Sequence, residues 1–209
     1  MSWTPDQMPD LTGRTAVVTG ANSGIGEAIV TACAAAGANV VIDWVTHPET
    51  VDPETRVAED AGSGGVTAVQ ADVSKVADLE NLIHRAVEKF GRLDVMINNA
   101  GILNRAGRIH NLDDDEWRRV IDVNLMGTLH GMRAAIGVMK GQKDGGSIIN
   151  TASAAGLTAW PYASAYCATK AAIIQLTKVA AVEYARERSI VQIEGRLDLA
   201  NLRDPHRQS

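Results

Sequence analysis

The fold of this chain is decided by one stretch of sequence, Thr19-Gly20-Ala21-Asn22-Ser23-Gly24-Ile25-Gly26. It follows a predicted strand and opens a predicted helix, which is where the nucleotide-binding turn of a βαβ unit lies. Gly20 suits a tight turn, Gly24 lets the backbone approach a pyrophosphate, and Gly26 allows close packing of helix and strand. The amides at a helix N-terminus attract anions. We therefore expect a bound dinucleotide here, contacted by Gly20, Asn22, Ser23, Gly24, Ile25 and Gly26.

The same glycines are also compatible with a β–α turn that binds no ligand. A P-loop is excluded, because no Gly-Lys-Ser or Gly-Lys-Thr follows the glycines to contact a terminal phosphate and its magnesium ion. Kinase and NTPase activities are therefore not expected.

Short apolar runs alternate with longer segments of helical periodicity, a pattern typical of βαβ units and a parallel sheet. The runs are rich in Val and Ile and almost continuously apolar, as strands covered on both faces are. Strands are predicted at Thr15–Thr19, Asn39–Ile42, Val66–Ala71, Leu93–Ile97 and Ser147–Thr151, with a weaker sixth at Ser189–Ile193. The predicted fold class is α/β, a Rossmann-type doubly wound parallel sheet with helices on both faces in three αβα layers.

Four segments between the strands have the apolar periodicity of amphipathic helices, and two of them end at a glycine. These helices are predicted at Ile25–Ala36, Val76–Phe90, Asp113–Val138 and Ala163–Arg186. The segment Thr46–Ala61 predicts a poorer helix, because Pro48 and Pro53 interrupt it.

The chain has 209 residues, of which 45% are hydrophobic and 22% charged, as expected for one compact domain over 1–209. Lys and Arg number 20 against 25 Asp and Glu without blocks of one sign, which argues against a nucleic-acid partner. No signal-like start or membrane-length apolar window occurs, so we expect no membrane partner and a cytoplasmic protein. Cys33 and Cys167 are far apart and the histidines lack metal-ligand spacing, so we expect reduced thiols and no metal.

Tyr166 and Lys170 are the strongest candidates for chemistry. Because they are four residues apart in a predicted helix, they lie on one face, and the ammonium can approach the phenol. Tyr normally titrates near pH 10, so a near-neutral pKa needs roughly 4 kcal/mol of preferential stabilisation of the phenolate. A nearby cation and a cationic nicotinamide can supply it, which would make Tyr166 a general acid or base. The alternative is an ordinary amphipathic helix pair.

The glycine loop, Asn98-Asn99-Ala100-Gly101 and Tyr166-Cys167-Ala168-Thr169-Lys170, in this order, resemble the short-chain dehydrogenase/reductase family over Leu11 to Arg186. The resemblance implies an NAD- or NADP-dependent oxidoreductase that transfers hydride between nicotinamide and a carbonyl or secondary alcohol, with a small-molecule substrate. It also implies four catalytic residues, namely Asn124, Ser153, Tyr166 and Lys170.

In this resemblance Ser153 holds the substrate oxygen, Lys170 also contacts the nicotinamide ribose, and Asn124 supports a proton relay through water. Taken alone, Ser153 is equally compatible with a strand end, and Asn124 with a polar helix residue that bonds to backbone. The order and spacing of the whole set favour the catalytic interpretation.

The resemblance also assigns the adenosine half of the cofactor. Asp72 and Val73 follow the third strand, where the carboxylate would accept from the adenine amino group. Asn98, Ala100 and Gly101 would place small residues and backbone against the adenosine. Turn chemistry alone also accounts for Asp72, and a tight strand-end turn for Asn98 to Gly101.

The choice between NAD and NADP is read at the end of the second strand, where an acidic residue accepts from the ribose 2′-OH. Asp43 is acidic, but the spacing from Gly26 in NAD-using relatives places the discriminating position at Trp44. No Arg or Lys stands in the glycine loop or at positions 44–46 to bind a 2′-phosphate. We expect NAD or NADP, with a slight preference for NAD, and include Asp43 and Trp44 among the candidate contacts.

Members of the family continue past the catalytic helix with a Pro-Gly turn and a last strand, whereas this chain continues into a polar tail. Residues 189–209 are therefore expected to form an atypical, shortened C-terminal segment with C-terminal strands missing. An alternative function follows, that of a catalytically impaired nucleotide-binding or interaction protein. Trp160-Pro161 is similar to the glucose 1-dehydrogenase branch and suggests a sugar or polyol, although 3-oxoacyl reductases share the other motifs. The family also implies a homodimer or homotetramer.

Overall fold

The structure is a computed structural model that describes residues 8–46, 51–62, 64–185 and 189–192. Its strands are β1 Thr15–Val18, β2 Asn39–Trp44, β3 Gly65–Gln70, β4 Val95–Asn98, β5 Gly146–Asn150 and β6 Ser189–Gln192. They form one six-stranded sheet in the order β3-β2-β1-β4-β5-β6, and every neighbouring pair is parallel. This is the strand order of the doubly wound dinucleotide-binding fold, so the predicted fold class is confirmed.

The helices fill the connections between the strands. They are α1 Gly24–Ala35, α2 Val51–Asp60, α3 Val76–Phe90, α4 Asp114–Val120, α5 Gly127–Met139 and α6 Ser164–Glu183, with short 3₁₀ turns at Ile109–Asn111 and Ala154–Gly156. Within the described ranges, no helix combines the length and the apolar character needed to cross a membrane. Of the predicted C-terminal segment, residues 193–209 lie outside the described part of the chain.

The prediction of one long helix over Asp113–Val138 is wrong in its interior. A π-helical segment, Ile121–Met126, joins α4 to α5. The apolar pattern did not reveal the π-helical segment. Apolar residues occur at helical spacing both before and after it, so the sequence gives no sign that one turn contains an extra residue. The start was correct, since the Asp113 side chain accepts from the Glu116 N–H and caps α4.

The poorly patterned segment before β3 does form a helix, over Val51–Asp60. It begins at Val51, so Pro53 lies in the first turn, where a missing backbone N–H costs nothing. Pro48 lies outside the described residues.

The sheet is covered on both faces, as its apolar strands require. α1 and α2 pack on one face, where Val30, Cys33 and Ala58 meet Val40 and Ile42 of β2. On the other face α3, α5 and α6 contribute the side chains Leu79, Leu82, Met132, Ile136, Met139 and Ala180, which pack against Val17, Val41, Met96 and Ile148 of the strands. Successive residues of one strand therefore belong to opposite cores.

We expect Leu82→Ala to lower the free energy of unfolding by about 2–5 kcal/mol, because it leaves a cavity at a fully buried position of α3. Urea denaturation followed by circular dichroism measures the change. The matched control is Leu157→Ala, whose side chain is 61% exposed and whose truncation should cost less than about 0.5 kcal/mol. Equal losses in the two variants would contradict the assignment of the core.

Candidate active site

A cleft opens at the carboxyl edge of the sheet, where the strand order reverses between β1 and β4. Ligands of open parallel sheets bind at this edge. The cleft has a volume of about 970 Å³, at the upper end of the range for small-molecule sites. Its wall includes the predicted contacts Gly20, Asn22, Ser23, Gly24, Ile25, Asp72, Val73, Ala100, Gly101, Tyr166 and Lys170. Six other predicted site residues are not part of this wall, namely Gly26, Asp43, Trp44, Asn98, Asn124 and Ser153.

The backbone of the glycine loop adopts conformations that residues with a Cβ would adopt only with strain. Gly20 and Gly24 have φ values of +60° and +58°, in the left-handed region that favours glycine. A Cβ at Gly26 would collide with the Gly20 carbonyl oxygen. Ser23 precedes α1 in an extended conformation, and its side chain makes no capping hydrogen bond to the first helical N–H groups. A pyrophosphate fits such a turn, because these N–H groups need acceptors and carry partial positive charge.

The end of β2 differs from the expectation for an NAD-binding carboxylate. Asp43 is 0% exposed, and its Oδ2 accepts from the Gly20 N–H at 3.2 Å. The cleft wall here consists of Val45 and Thr46, and the Thr46 carbonyl accepts from Asn22 Nδ2 at 2.8 Å. Asp43 is therefore a support beneath the glycine loop, and this removes the reason that the sequence offered for preferring NAD.

Burial governs the ionisation of Asp43. The loss of water, together with the carboxylates of Asp72 and Asp78, raises the pKa of Asp43 from 3.8 to about 7, although the Gly20 and Ala71 N–H groups oppose the shift. Its Oδ1 has no hydrogen-bond partner among the described residues, which also favours the protonated form.

Asp72 lies in the cleft wall and also organises the turn that begins α3. Partial burial would raise its pKa, but hydrogen bonds from Ser74 and the Lys75 ammonium lower it below the usual value. The carboxylate accepts from Ser74 N at 3.0 Å and from Ser74 Oγ at 2.7 Å. The turn interpretation is therefore correct, and the position in the wall leaves cofactor contact open as a second role.

The end of β4 is tied to the glycine loop through Asn99, which sequence reasoning did not single out. Its Nδ2 donates to the carbonyls of Thr19 and Gly20 at 3.1 and 3.2 Å. The Thr19 hydroxyl in turn accepts from the N–H groups of Asn99 and Ala100. The neighbouring Asn98 instead faces the interior and donates to Asn150 Oδ1 at 2.8 Å. The repeated asparagine pair was the available signal, but the sequence alone does not say which amide faces the loop.

Tyr166 and Lys170 lie on one face of α6, as their spacing predicts. The Lys170 Nζ is 5.6 Å from the centre of the Tyr166 ring and donates to the Thr151 carbonyl at 2.7 Å. Lys170 is only 4% exposed, and burial lowers its pKa from 10.5 to about 8. The ammonium therefore predominates at pH 7. A buried cation beside a phenol in a cleft differs from the solvated helix pair that was the alternative interpretation.

Asn124 is fully buried in the π-helical segment and holds the backbone of Ile102. Its Oδ1 accepts from Ile102 N at 2.8 Å, and its Nδ2 donates to the Ile102 carbonyl at 2.9 Å. A Cβ at Gly101 would lie 3.4 Å from Asn124 Oδ1 and 3.5 Å from Lys170 Nζ. Asn124, Gly101 and Lys170 therefore converge at one point.

Ser153 begins the 3₁₀ turn that follows β5. Its Oγ accepts from Ala155 N at 3.2 Å. This bond uses a lone pair of the oxygen, so the hydroxyl proton can still donate to another acceptor.

A parallel sheet of this order, with a glycine turn at the point of strand reversal, defines a dinucleotide-binding protein of the Rossmann type. The sequence matches the short chain dehydrogenase family over residues 14–195. It is 42% identical over 176 residues to 3beta-hydroxysteroid dehydrogenase 1 of Eggerthella lenta, covering 84% of this chain and 67% of that protein. It is 36% identical over 176 residues to glucose 1-dehydrogenase 2 of Bacillus subtilis, covering 84% of this chain and 68% of that protein.

Among solved structures, a short chain dehydrogenase/reductase from Burkholderia phymatum in complex with NAD superposes with a TM-score of 0.83 at 32% identity. The match covers 89% of this chain and 66% of that one. This chain therefore spans about two thirds of the length of the relatives it matches. It belongs to the short-chain dehydrogenase/reductase family, whose enzymes act on CH–OH donors with NAD(P).

We expect Asp43→Asn to remove a pH dependence of stability. Because the folded pKa of about 7 exceeds the ordinary 3.8, protonation contributes stability fully below pH 3.8, and this contribution is lost as the pH rises through about 7. The difference between the two pKa values corresponds to about 4 kcal/mol. The variant should therefore gain stability relative to the wild type, by up to that amount, as the pH rises from 4 to 8.

Urea denaturation at pH 4, 6 and 8 measures this gain. Asp60→Asn, the same change at an exposed position of α2, is the control for the loss of one carboxylate. A constant difference between Asp43→Asn and the wild type at all three pH values would show that Asp43 titrates normally.

Proposed function

We propose that this chain transfers hydride between a nicotinamide dinucleotide and a carbonyl/secondary alcohol pair, with Tyr166 as the general acid or base. The observation that carries the proposal is the buried Lys170 ammonium beside the Tyr166 ring, both in the wall of the cleft. Taking a cation out of water is costly. A cation at this position would stabilise the negative charge that develops on the phenol oxygen as its proton is transferred, which would account for the burial of Lys170.

Each proposed catalytic residue has a distinct task. Tyr166 donates its phenol proton to the carbonyl oxygen during reduction and takes it back during oxidation. Lys170 favours the phenolate by its charge, and two of its three N–H donors are not used by the Thr151 carbonyl. Ser153 donates its hydroxyl proton to the same substrate oxygen. Asn124 positions Ile102 and Gly101 behind the reacting groups.

The bound dinucleotide would supply or accept the hydride. The α1 N-terminus and the Gly20–Gly24 turn would hold its pyrophosphate, and Asp72 and Val73 would contact the adenine side. With Val45 and Thr46 at the end of β2, neither a carboxylate nor a basic side chain of the described wall discriminates the ribose 2′ position there. We propose that NADH and NADPH bind with dissociation constants within tenfold of each other.

The relatives named above act on a steroid and on a sugar, so the proposed substrate class is kept to a carbonyl or secondary alcohol. Trp160 is 41% exposed in the segment between Ser153 and Tyr166, and it is not among the residues that line the cleft. The sugar or polyol suggested by Trp160-Pro161 remains one member of that class. Those relatives are named as enzymes, which favours catalysis over the alternative of a nucleotide-binding or interaction protein.

We also propose that the chain assembles as a homodimer or homotetramer through the long helices α5 and α6. Val179 and Val182, three residues apart and therefore on one side of α6, are 42% and 79% exposed, so this side of the helix has apolar surface for contact with another chain. Light scattering during size-exclusion chromatography should give a mass of two or four chains, and a monomer mass would contradict this assembly.

Fluorescence titration of the 209-residue chain with NADH and NADPH tests cofactor binding directly. Saturable binding of at least one dinucleotide is expected, and the ratio of the two dissociation constants tests the proposed dual use. Absence of binding to both would contradict the proposed function. The dinucleotide that binds is then used to assay a panel of ketones, secondary alcohols and sugars.

Tyr166→Phe should lower turnover with the best substrate of that panel by 10²–10⁴-fold, because the proton donor is lost. The dissociation constant of NADH should change by less than about threefold, since the ring remains. The matched control is Tyr184→Phe, the same change at the other end of α6, which should keep wild-type turnover. Wild-type turnover in Tyr166→Phe would show that another group transfers the proton.

A further inference from the structure

Asn104 connects the segment after β4 to the start of α6, and the proposed catalytic set does not include it. Its side chain is buried, with 8% exposure. Its Nδ2 donates to the carbonyls of Arg105 and Tyr162, at 2.8 and 3.0 Å. Its Oδ1 accepts from the Tyr166 N–H at 3.2 Å. The amide thus bonds at both ends across 62 residues of sequence.

The Tyr166 N–H needs this acceptor. Tyr166 is the third residue of α6, and the first four N–H groups of a helix have no partner within it. The residue before the helix is Ala163, which has no side-chain acceptor and makes no capping bond. Asn104 therefore caps the helix that carries Tyr166 from a distant segment.

Asn104 also stabilises an uncommon backbone conformation next to the site. Among the described residues, Tyr162 is the one non-glycine with a positive φ, at +67°. Residues with a Cβ avoid this region. The Tyr162 carbonyl accepts from Asn104 Nδ2 and from Gly107 N at 3.4 Å. These two bonds favour the strained turn that leads into α6.

We propose that Asn104 is a positioning residue, which holds the Tyr162 turn and the first turn of α6 so that the Tyr166 phenol stays beside the Lys170 ammonium. This inference depends on the proposed function in one respect, namely that Tyr166 is the general acid or base. A loosened first turn would move the Tyr166 ring away from the Lys170 ammonium and from the place where its proton is transferred. Asn104 then acts on the reaction without touching the substrate.

The cleft wall that contains Tyr166 and Lys170 also contains charged side chains of α4 and of the π-helical segment, namely Asp115, Arg118, Arg119 and Asp122. Lys170 faces Tyr166 from its own helix, and next to Asn104 the Arg105 N–H donates to Glu116 of α4 at 2.8 Å. Replacement of Asn104 by Ala removes both ends of the bridge without adding charge. Replacement by Ser keeps one hydroxyl that can donate or accept, and is the milder change.

The surroundings of the Tyr166 ring test the proposal without any activity assay. The chain has three tyrosines, so the double change Tyr162→Phe and Tyr184→Phe leaves Tyr166 as the single one. Labelling with fluorotyrosine then gives one fluorine NMR resonance, which reports the environment of that ring in the full-length chain. We expect Asn104→Ala to shift this resonance toward that of the unfolded chain and Asn104→Ser to shift it less.

The control is Asn81→Ala, the same substitution at an exposed site on α3, which should leave the resonance unchanged. Circular dichroism confirms that each variant is folded at the temperature of the measurement. If Asn104→Ala does not fold, Asn104→Ser is judged by the direction of its shift. An unchanged Tyr166 resonance in a folded Asn104 variant overturns the proposal.

A second background tests the role of Tyr162. The pair Tyr162→Gly and Tyr184→Phe also leaves Tyr166 as the single tyrosine, and glycine accepts a φ of +67° without strain. The effect of Asn104→Ala on the fluorine resonance of Tyr166 should be smaller here, because glycine adopts the turn conformation without the hydrogen bonds from Asn104. An equal shift in both backgrounds overturns the part assigned to Tyr162. Because no dinucleotide is used, these results stay distinguishable from a failure of NADH or NADPH binding.

Discussion

The close packing of α1 on the end of β1 is the constraint on which the rest of the site depends. A Cβ at Gly26 would meet the Gly20 carbonyl oxygen, the Ala21 Cα and, at 2.9 Å, Asn99 Nδ2. The same Asn99 amide holds the carbonyls of Thr19 and Gly20. The glycine turn, the start of α1 and the end of β4 therefore form one unit. The cleft lies at this unit because the chain leaves β1 and β4 toward opposite faces of the sheet.

The strands and most helices were predictable, because each is specified by residues that are close in sequence. The apolar runs of β1 and β2 and the glycine that ends α3 are local signals. The exceptions depend on contacts between distant segments. The burial of Asp43 follows from its bond to the Gly20 backbone, and the role of Asn104 follows from a bridge to Tyr162 and Tyr166. No spacing rule within one segment contains that information.

Two buried ionisable groups lie near the cleft, Asp43 beneath the glycine loop and Lys170 in the cleft wall. Burial disfavours the charged form of both, so it raises the pKa of Asp43 to about 7 and lowers the pKa of Lys170 to about 8. At neutral pH this leaves a cation beside Tyr166 and only partial negative charge under the glycine turn. An anionic pyrophosphate at that turn would meet less repulsion from beneath than a fully ionised carboxylate would cause.

The π-helical segment Ile121–Met126 has a consequence for how this region can change in evolution. A π turn behaves as an α-helix with one additional residue, and one residue corresponds to a rotation of about 100° and a rise of about 1.5 Å. Deleting a single residue there would restore regular α geometry, but it would turn α4 about its axis relative to α5. Asn124 would then lose its hydrogen bond with Ile102. The polar side chains Asp115, Arg118 and Arg119 of α4 would no longer line the cleft. This segment should therefore tolerate substitution of its residues far better than deletion of one of them.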